Sequence, residues 1–317
     1  MIPKAPPPIA TVTLNPAVDV STAVREVLPD RKMRCGAPRR EPGGGGINVA
    51  RAIKRLGGEA LALFPAGGPT GRLLEQLLDE ENVARMSIPI AGWTRENLNV
   101  LESETRRQFR FVLPGPTLEE EEWRLILEAI STLEPFPRFL VASGSLPPGA
   151  PEDFHARLAR LARERGARLI LDSSGPALSR ALEEGVYLCK PSLREFLEWT
   201  GEEGADEARW RALAREAVAT GRCDALVVSL GSAGALWTTR AQQERLRTPA
   251  VPLESSVGAG DSMVAGIALA LSRGQTMREA VRLGVAAAAA AVMNPGTQLC
   301  KADDVARILP QVVATPV

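Results

Sequence analysis

Short apolar runs of strand length alternate with apolar positions at helical spacing through most of the chain. Ile9 to Leu14 reads as a first buried strand, closed by Asn15-Pro16. Four glycines at Gly43–Gly46 lead into a helix over Ile47 to Leu56, which Gly57-Gly58 stops. A strand at Leu61 to Phe64 and a helix from Gly71 to about Glu81 follow. The unit recurs as Phe139–Ala142 with Pro151–Arg165 and as Arg168–Asp172 with Pro176–Glu184. Ala225–Leu230 is a further β-branched strand, and the C-terminal part is helical over Asp261–Arg273, Met277–Met293 and beyond Asp303. This alternation predicts an α/β fold with a mostly parallel sheet.

Two segments break the rhythm, Asp19 to Arg40 and Trp93 to Leu113. Both alternate with the period of a strand, and in the second Phe109, Phe111 and Leu113 share one face while Arg110 and Val112 share the other. They predict a small β-sheet, formed by about 19–40 and 93–113, set on a single domain that spans 1–317.

Composition narrows the classes. The chain has 317 residues, 45% hydrophobic and 24% charged, enough to bury a large core without staples. Lys plus Arg equals Asp plus Glu at 38 each, so no global field calls for nucleic acid or an anionic membrane, and a bound anion needs a local site. Cys35, Cys189, Cys223 and Cys300 are far apart with no CxxC pair, which predicts a reducing compartment. The opening MIPKAPPPIA lacks the apolar core of a signal peptide, and the longest apolar run, Val285 to Met293, is too short to span a bilayer. The expected location is the cytoplasm.

Candidate chemistry lies at two glycine runs. Ser255-Ser256-Val257-Gly258-Ala259-Gly260-Asp261 precedes an apolar helix. Glycines there bring backbone N–H groups close to a ligand, and a helix N-terminus carries partial positive charge, so the place suits an anion. Asp261 beside it can accept a proton from an attacking hydroxyl in phosphoryl transfer, or it can simply cap the helix. Gly43–Gly46 followed by Asn48 offers backbone groups and an amide to sugar hydroxyls, or makes only a tight turn. No GxxxxGK[ST] is present, and neither glycine run completes GxGxxG with a small last residue. His155, the only histidine, is expected on an exposed, charged helix face, which sets aside serine–histidine hydrolysis and histidine-held metals.

Nine segments in order then resemble the PfkB (ribokinase-like) carbohydrate kinases over essentially the whole length. They are TLNPAVD (Thr13–Asp19), EPGGGGINVARA (Glu41–Ala52), FPAGG (Phe64–Gly68), WTREN (Trp93–Asn97), RFVLPG (Arg110–Gly115), SGSLPPG (Ser143–Gly149), LDSSG (Leu171–Gly175), VVSLG (Val227–Gly231) and SVGAGDSM (Ser256–Met263). The resemblance implies a three-layer α/β/α core with a small β-sheet lid. It also implies ATP-dependent phosphorylation of a sugar phosphate, with fructose 6-phosphate expected. Fructose 1-phosphate and tagatose 6-phosphate are sister alternatives, and a sugar-phosphate or nucleotide sensor is an alternative of another class.

By that resemblance Asp261 is the catalytic base and Gly258, Ala259 and Gly260 form the anion hole. Asp19, Gly43, Gly44, Asn48 and Ser145 meet the sugar, while Arg95 and Lys32 hold its phosphate, as a guanidinium and an ammonium suit a dianion. Lys190, Ser192, Ser229, Gly231, Gly234, Ser255, Ser256 and Val257 are implied ATP contacts, and Glu195 organises Mg²⁺ through water. A potassium loop is implied at Ser255, Val257, Ala291, Asn294 and Gly296. The chain departs from the pattern at Ser192, where the family has asparagine, and at Gln298, where a relative has arginine. The implied partners are a sugar phosphate and ATP, with no nucleic acid and no membrane, and a homodimer pairing two lids.

Overall fold

The computed structural model describes residues 7–317, so most of the proline-rich start, and with it the reading that no signal peptide is present, lies outside the described residues. The first half of the chain runs β1 (Ile9–Val12), β2 (Ala17–Val24), β3 (Arg39–Gly43), α1 (Gly45–Arg55), β4 (Leu61–Ala66), α2 (Gly68–Glu80), β5 (Arg85–Pro89), β6 (Arg95–Glu102), β7 (Gln108–Val112) and α3 (Glu120–Ser131). It continues as β8 (Phe139–Ser143), α4 (Phe154–Glu164), β9 (Arg168–Asp172), α5 (Gly175–Glu184), β10 (Val186–Cys189), α6 (Leu193–Thr200), α7 (Glu207–Ala219) and β11 (Cys223–Ser229). The last part is β12 (Ala235–Thr239), β13 (Gln243–Arg247), α8 (Ala259–Ser272), α9 (Met277–Val292), α10 (Ala302–Ile308) and β14 (Val313–Pro316).

Ten of these strands form one sheet in the order β14-β13-β12-β11-β10-β9-β8-β1-β4-β5. From β5 through β11 every neighbour is parallel, while β11 to β14 add an antiparallel edge that the alternation did not predict. Both faces are covered, which explains strands that are apolar throughout rather than alternating. Ile9, Phe64, Val141 and Trp237 point into one core with α1, α2, α8 and α9. Val12, Leu63, Leu140 and Leu171 point into the other, against Trp123, Phe154, Leu178, Phe196 and Trp210 of α3 to α7. The three layers expected from the sequence are therefore present. No helix among the described residues is long and apolar enough to cross a membrane.

The remaining four strands form a second sheet, ordered β3-β2-β6-β7. Strands occupy both segments that break the helical rhythm, but 25–38 carries none, and β3 runs past the expected limit straight into the glycine loop. Register divides this sheet's chemistry. Ala17 pairs with Arg95, Asp19 with Asn97, and Ser21 with Asn99, so these polar groups share one face. Leu98, opposite Val20 and Phe111, lies on the other, where Leu98 is 38% and Phe111 49% exposed.

Candidate functional site

The main sheet changes direction at β1, with β4 and β5 on one side and β8 to β11 on the other. In open parallel sheets ligands bind beyond the strand C-termini at such a switch point. Ser143, Asp172 and Lys190 lie at or just past the ends of β8, β9 and β10. The lines of Asp261, Asn48 and Asp19 converge on the same region from α8, α1 and β2.

Asp261 sits in the first turn of α8, after Gly258, whose φ of 77° only glycine adopts without strain. The first-turn N–H groups at Ala259, Gly260 and Asp261 have no partner within the helix, which leaves them for an anion. Asn48 Nδ2 donates to Asp261 Oδ2 at 3.0 Å, and Ser143 Oγ lies 3.5 Å from Oδ1. Burial, with the nearby Asp172 charge, pushes the Asp261 carboxyl up to about 6, against the Asn48 donor and Lys190. A base titrating there is ionised at neutral pH yet basic enough to take a proton.

Lys190 is 4% exposed and pairs with Asp172 at 3.2 Å. Burial works against its charge, but Asp172 outweighs that and holds the ammonium above its usual range. A Cβ on Gly260 would lie 3.5 Å from Lys190 Nζ, so cation and helix start face one space. That space opens into a cavity of about 670 Å³ bounded by Ser229, Gly231, Gly234, Ser256, Ala259 and Gly260. Its apolar wall is Val251, Met263, Val285, Ala288, Ala289 and Val292, a surface that suits an aromatic base. Apolar wall, buried ammonium and helix N-terminus in sequence fit a nucleoside triphosphate.

On the other side of Asp261, Asp19 is 7% exposed and accepts from Asn97 Nδ2 at 2.8 Å. Its carboxylate lies so close to the glycine loop that a Cβ on Gly43 would come within 2.7 Å of it. Gly44 is the N-cap of α1, with φ 111°. Arg95 donates to the Leu113 and Asn15 carbonyls at 2.8 and 2.9 Å, while its buried Nε has no partner among the described residues. Asn15 Nδ2 in turn donates to Ser145 Oγ at 3.1 Å. Asp19, Gly43, Gly44, Asn48, Arg95 and Ser145 thus form one polar surface. Lys32 does not join it, being exposed in the strandless 25–38 stretch and without a hydrogen bond or ion pair to the site.

Ser192 and Glu195 have a defined local role. Ser192 is the N-cap of α6, accepting from the Glu195 N–H at 3.3 Å, while Glu195 Oε2 accepts from the Ser192 N–H at 2.8 Å. Ser192 is therefore used as a cap, and the Glu195 carboxylate is held in one orientation. Hard carboxylate oxygens there suit Mg²⁺ through water. Ser192→Ala should lower stability to denaturant by about 1 kcal/mol, whereas Ser192→Asn, an equally good cap, should leave it unchanged. Equilibrium urea unfolding checks both.

The 255–257 and 291–296 segments also meet. Glu254 and Ser255 N–H groups donate to the Val292 carbonyl, and the Asn294 N–H donates to that of Ala291. Val257 N–H donates to Ser255 Oγ at 3.2 Å, and Asn294 Nδ2 donates to the Ala290 carbonyl at 2.9 Å. Gly296 closes the loop with φ 65°. The two segments of the expected cation loop therefore adjoin.

His155 corrects an expectation. It is 2% exposed, edge-on to Phe154, on the sheet side of α4 rather than on its charged face, and burial lowers it to about 4. Asp172, Asn97, Ser143 and the cavity's apolar wall were missed in the sequence. Asp172 adjoins Lys190 through the strand register, in which Cys189 pairs with Leu171, and that register is not readable from the sequence.

A family model described as pfkB family carbohydrate kinase matches residues 12–304. The chain is 49% identical over 301 residues to ATP-dependent 6-phosphofructokinase isozyme 2 of Mycobacterium tuberculosis, covering 95% of this chain and 88% of that protein. It is 44% identical over 301 residues to the protein of that name from Escherichia coli, covering 95% and 97%. Structures of the E. coli phosphofructokinase-2 with potassium, with fructose 6-phosphate and in a tetrameric inhibited form match with TM-scores of 0.92, 0.90 and 0.90, at 44%, 43% and 43% identity. Each match covers 95% of this chain and 98% of that one.

Proposed function

The chain belongs to the pfkB family of carbohydrate kinases, and from that membership we propose that it transfers the γ-phosphoryl group of ATP to fructose 6-phosphate, giving fructose 1,6-bisphosphate. The observation that carries this reading is the Asp261 carboxylate, set between the nucleotide-shaped cavity and the Asp19–Asn48–Arg95 surface. Identity of 49% and 44% to enzymes named for that reaction supports the choice of sugar phosphate.

In this reading Asp19 and Asn48 hold the sugar's hydroxyls so that the acceptor oxygen lies against Asp261. Asp261 takes the acceptor's proton as the oxygen attacks. The α8 N–H groups of Gly258 to Asp261 and the Lys190 ammonium stabilise the charge that spreads over the moving phosphoryl. Glu195 would hold Mg²⁺ through water, and the ion would supply charge neutralisation at the phosphates. Arg95 keeps the substrate's own phosphate in place, and the small sheet acts as a lid that excludes water. Potassium at the 255–257 and 291–296 loops would set the geometry of the nucleotide side. Two copies covering each other's exposed Leu98–Phe111 faces make a dimer, in the cytoplasm.

Because Asp261 must be ionised, kcat should rise with pH through about 6 and then level off. A pH–rate profile at saturating MgATP checks this, and a rate still climbing tenfold per unit above pH 8 would contradict it. The substrate assignment is tested by kcat/KM for fructose 6-phosphate, fructose 1-phosphate and tagatose 6-phosphate with MgATP. Preference for fructose 6-phosphate is expected. A better rate on either other sugar moves the enzyme to a sister activity, and no turnover on any of the three overturns the kinase reading.

A further inference from the structure

Behind the glycine loop, Arg51 in the middle of α1 is fully buried. Its Nε and Nη2 donate to both Glu81 oxygens, at 2.8 and 2.5 Å, just past the end of α2. Its Nη1 donates to the Pro42 carbonyl at 2.8 Å and to Asn48 Oδ1 at 3.2 Å. A guanidinium only donates and an ionised carboxylate only accepts. Asn48, held between Arg51 and Asp261, therefore has one satisfied orientation, with its oxygen toward Arg51 and its NH₂ toward the base. A flipped amide would set oxygen against the Asp261 carboxylate and hydrogen against the guanidinium.

Structure alone does not require this arginine. The Glu81 pair satisfies two of its five N–H groups, with Glu41 Oε1 a further 3.8 Å from Nη2, and an apolar pair of similar volume is often as stable as a buried ion pair. What an apolar pair cannot do is orient Asn48. We propose that Arg51 is a positioning residue for phosphoryl transfer: through Asn48 it fixes the donor that aligns Asp261, and through Pro42 it ties that alignment to the lid strand β3. The inference rests on the reading of Asp261 as base.

The test is a double-mutant cycle in the full chain, with phosphoryl transfer from radiolabelled ATP to fructose 6-phosphate as a readout of slow turnover. Arg51→Lys keeps the charge opposite Glu81 but loses the planar fork, and should lower kcat about tenfold with KM for MgATP within about twofold. In an Asn48→Ala background the same change should cost less than about twofold, since groups acting as a unit are not additive. Should the lysine variant fail to fold, Arg51→Met with Glu81→Met removes both members of the pair, leaves Glu41 its closer partner Arg39 at 2.7 Å, and must show the same loss, again absent when Asn48 is alanine. An equal loss in both backgrounds, or a wild-type kcat, overturns the inference. Asp261→Asn run alongside separates the two readings: an active asparagine variant sinks the base and this inference together, whereas an inactive one with additive Arg51 effects sinks this inference alone.

Discussion

Asp261→Asn is expected to lower kcat for phosphoryl transfer by roughly 10³-fold while MgATP still binds, because the change removes the proton acceptor and little else. Asparagine has nearly the same shape, and its oxygen can still accept from Asn48 Nδ2, which now lies 3.0 Å from Oδ2. In the proposed reading MgATP is held by Lys190, the α8 N–H groups and the apolar cavity, none of which is altered. A stability gain should accompany the loss. The Asp261 carboxyl is raised to about 6, above its ordinary value near 4, so the protein loses stability as pH rises across that window. Asparagine does not titrate, so the variant should melt above the wild type at pH 7.5 and lose that advantage at pH 4. Calorimetry at the two pH values, beside steady-state rates, reads both effects. A variant that is inactive but no longer binds MgATP would mean that Asp261 shapes the nucleotide site instead.

Arg95→Met should raise KM for fructose 6-phosphate by about 100-fold, the size expected for losing a charged hydrogen-bond partner, and change kcat less. Two of the guanidinium's nitrogens are used on the Leu113 and Asn15 carbonyls, which seat Arg95 where the small sheet begins. Its Nε is buried and unpartnered among the described residues, and in the proposed reading the outward N–H groups of the same guanidinium meet the substrate's phosphate. Initial rates over a wide range of fructose 6-phosphate measure the split. Loss confined to kcat, with KM unchanged, would assign Arg95 to the lid's closure and not to the phosphate.

The order of the core was legible because its central strands are buried on both faces and most of its helices carry one apolar stripe, while α8 is buried all round from Ser262 to Leu271. β9 fell where the run Arg168–Asp172 predicts it. The antiparallel edge was not legible. β12 and β13 mix apolar and polar residues, such as Gln243, which donates to the Arg211 carbonyl of α7 as well as to Thr238, and Arg245, which donates to Glu207 of α7. Asp261 and the glycine loops carried a local signature, since backbone approach and a helix start leave marks on the residues themselves. Asn97 and Asp172 did not, because their roles come from register: each faces a partner across a parallel strand pair. His155 was misplaced for a related reason. Its neighbours on α4 are charged, but the second position of that helix turns toward the sheet.

The most direct measurement is ³¹P NMR of the wild-type protein with MgATP and fructose 6-phosphate. A second phosphomonoester signal from the C1 position should grow in step with ADP, one for one. ADP formed with inorganic phosphate in place of that signal, or no ADP at all, would contradict transfer to the sugar at this site.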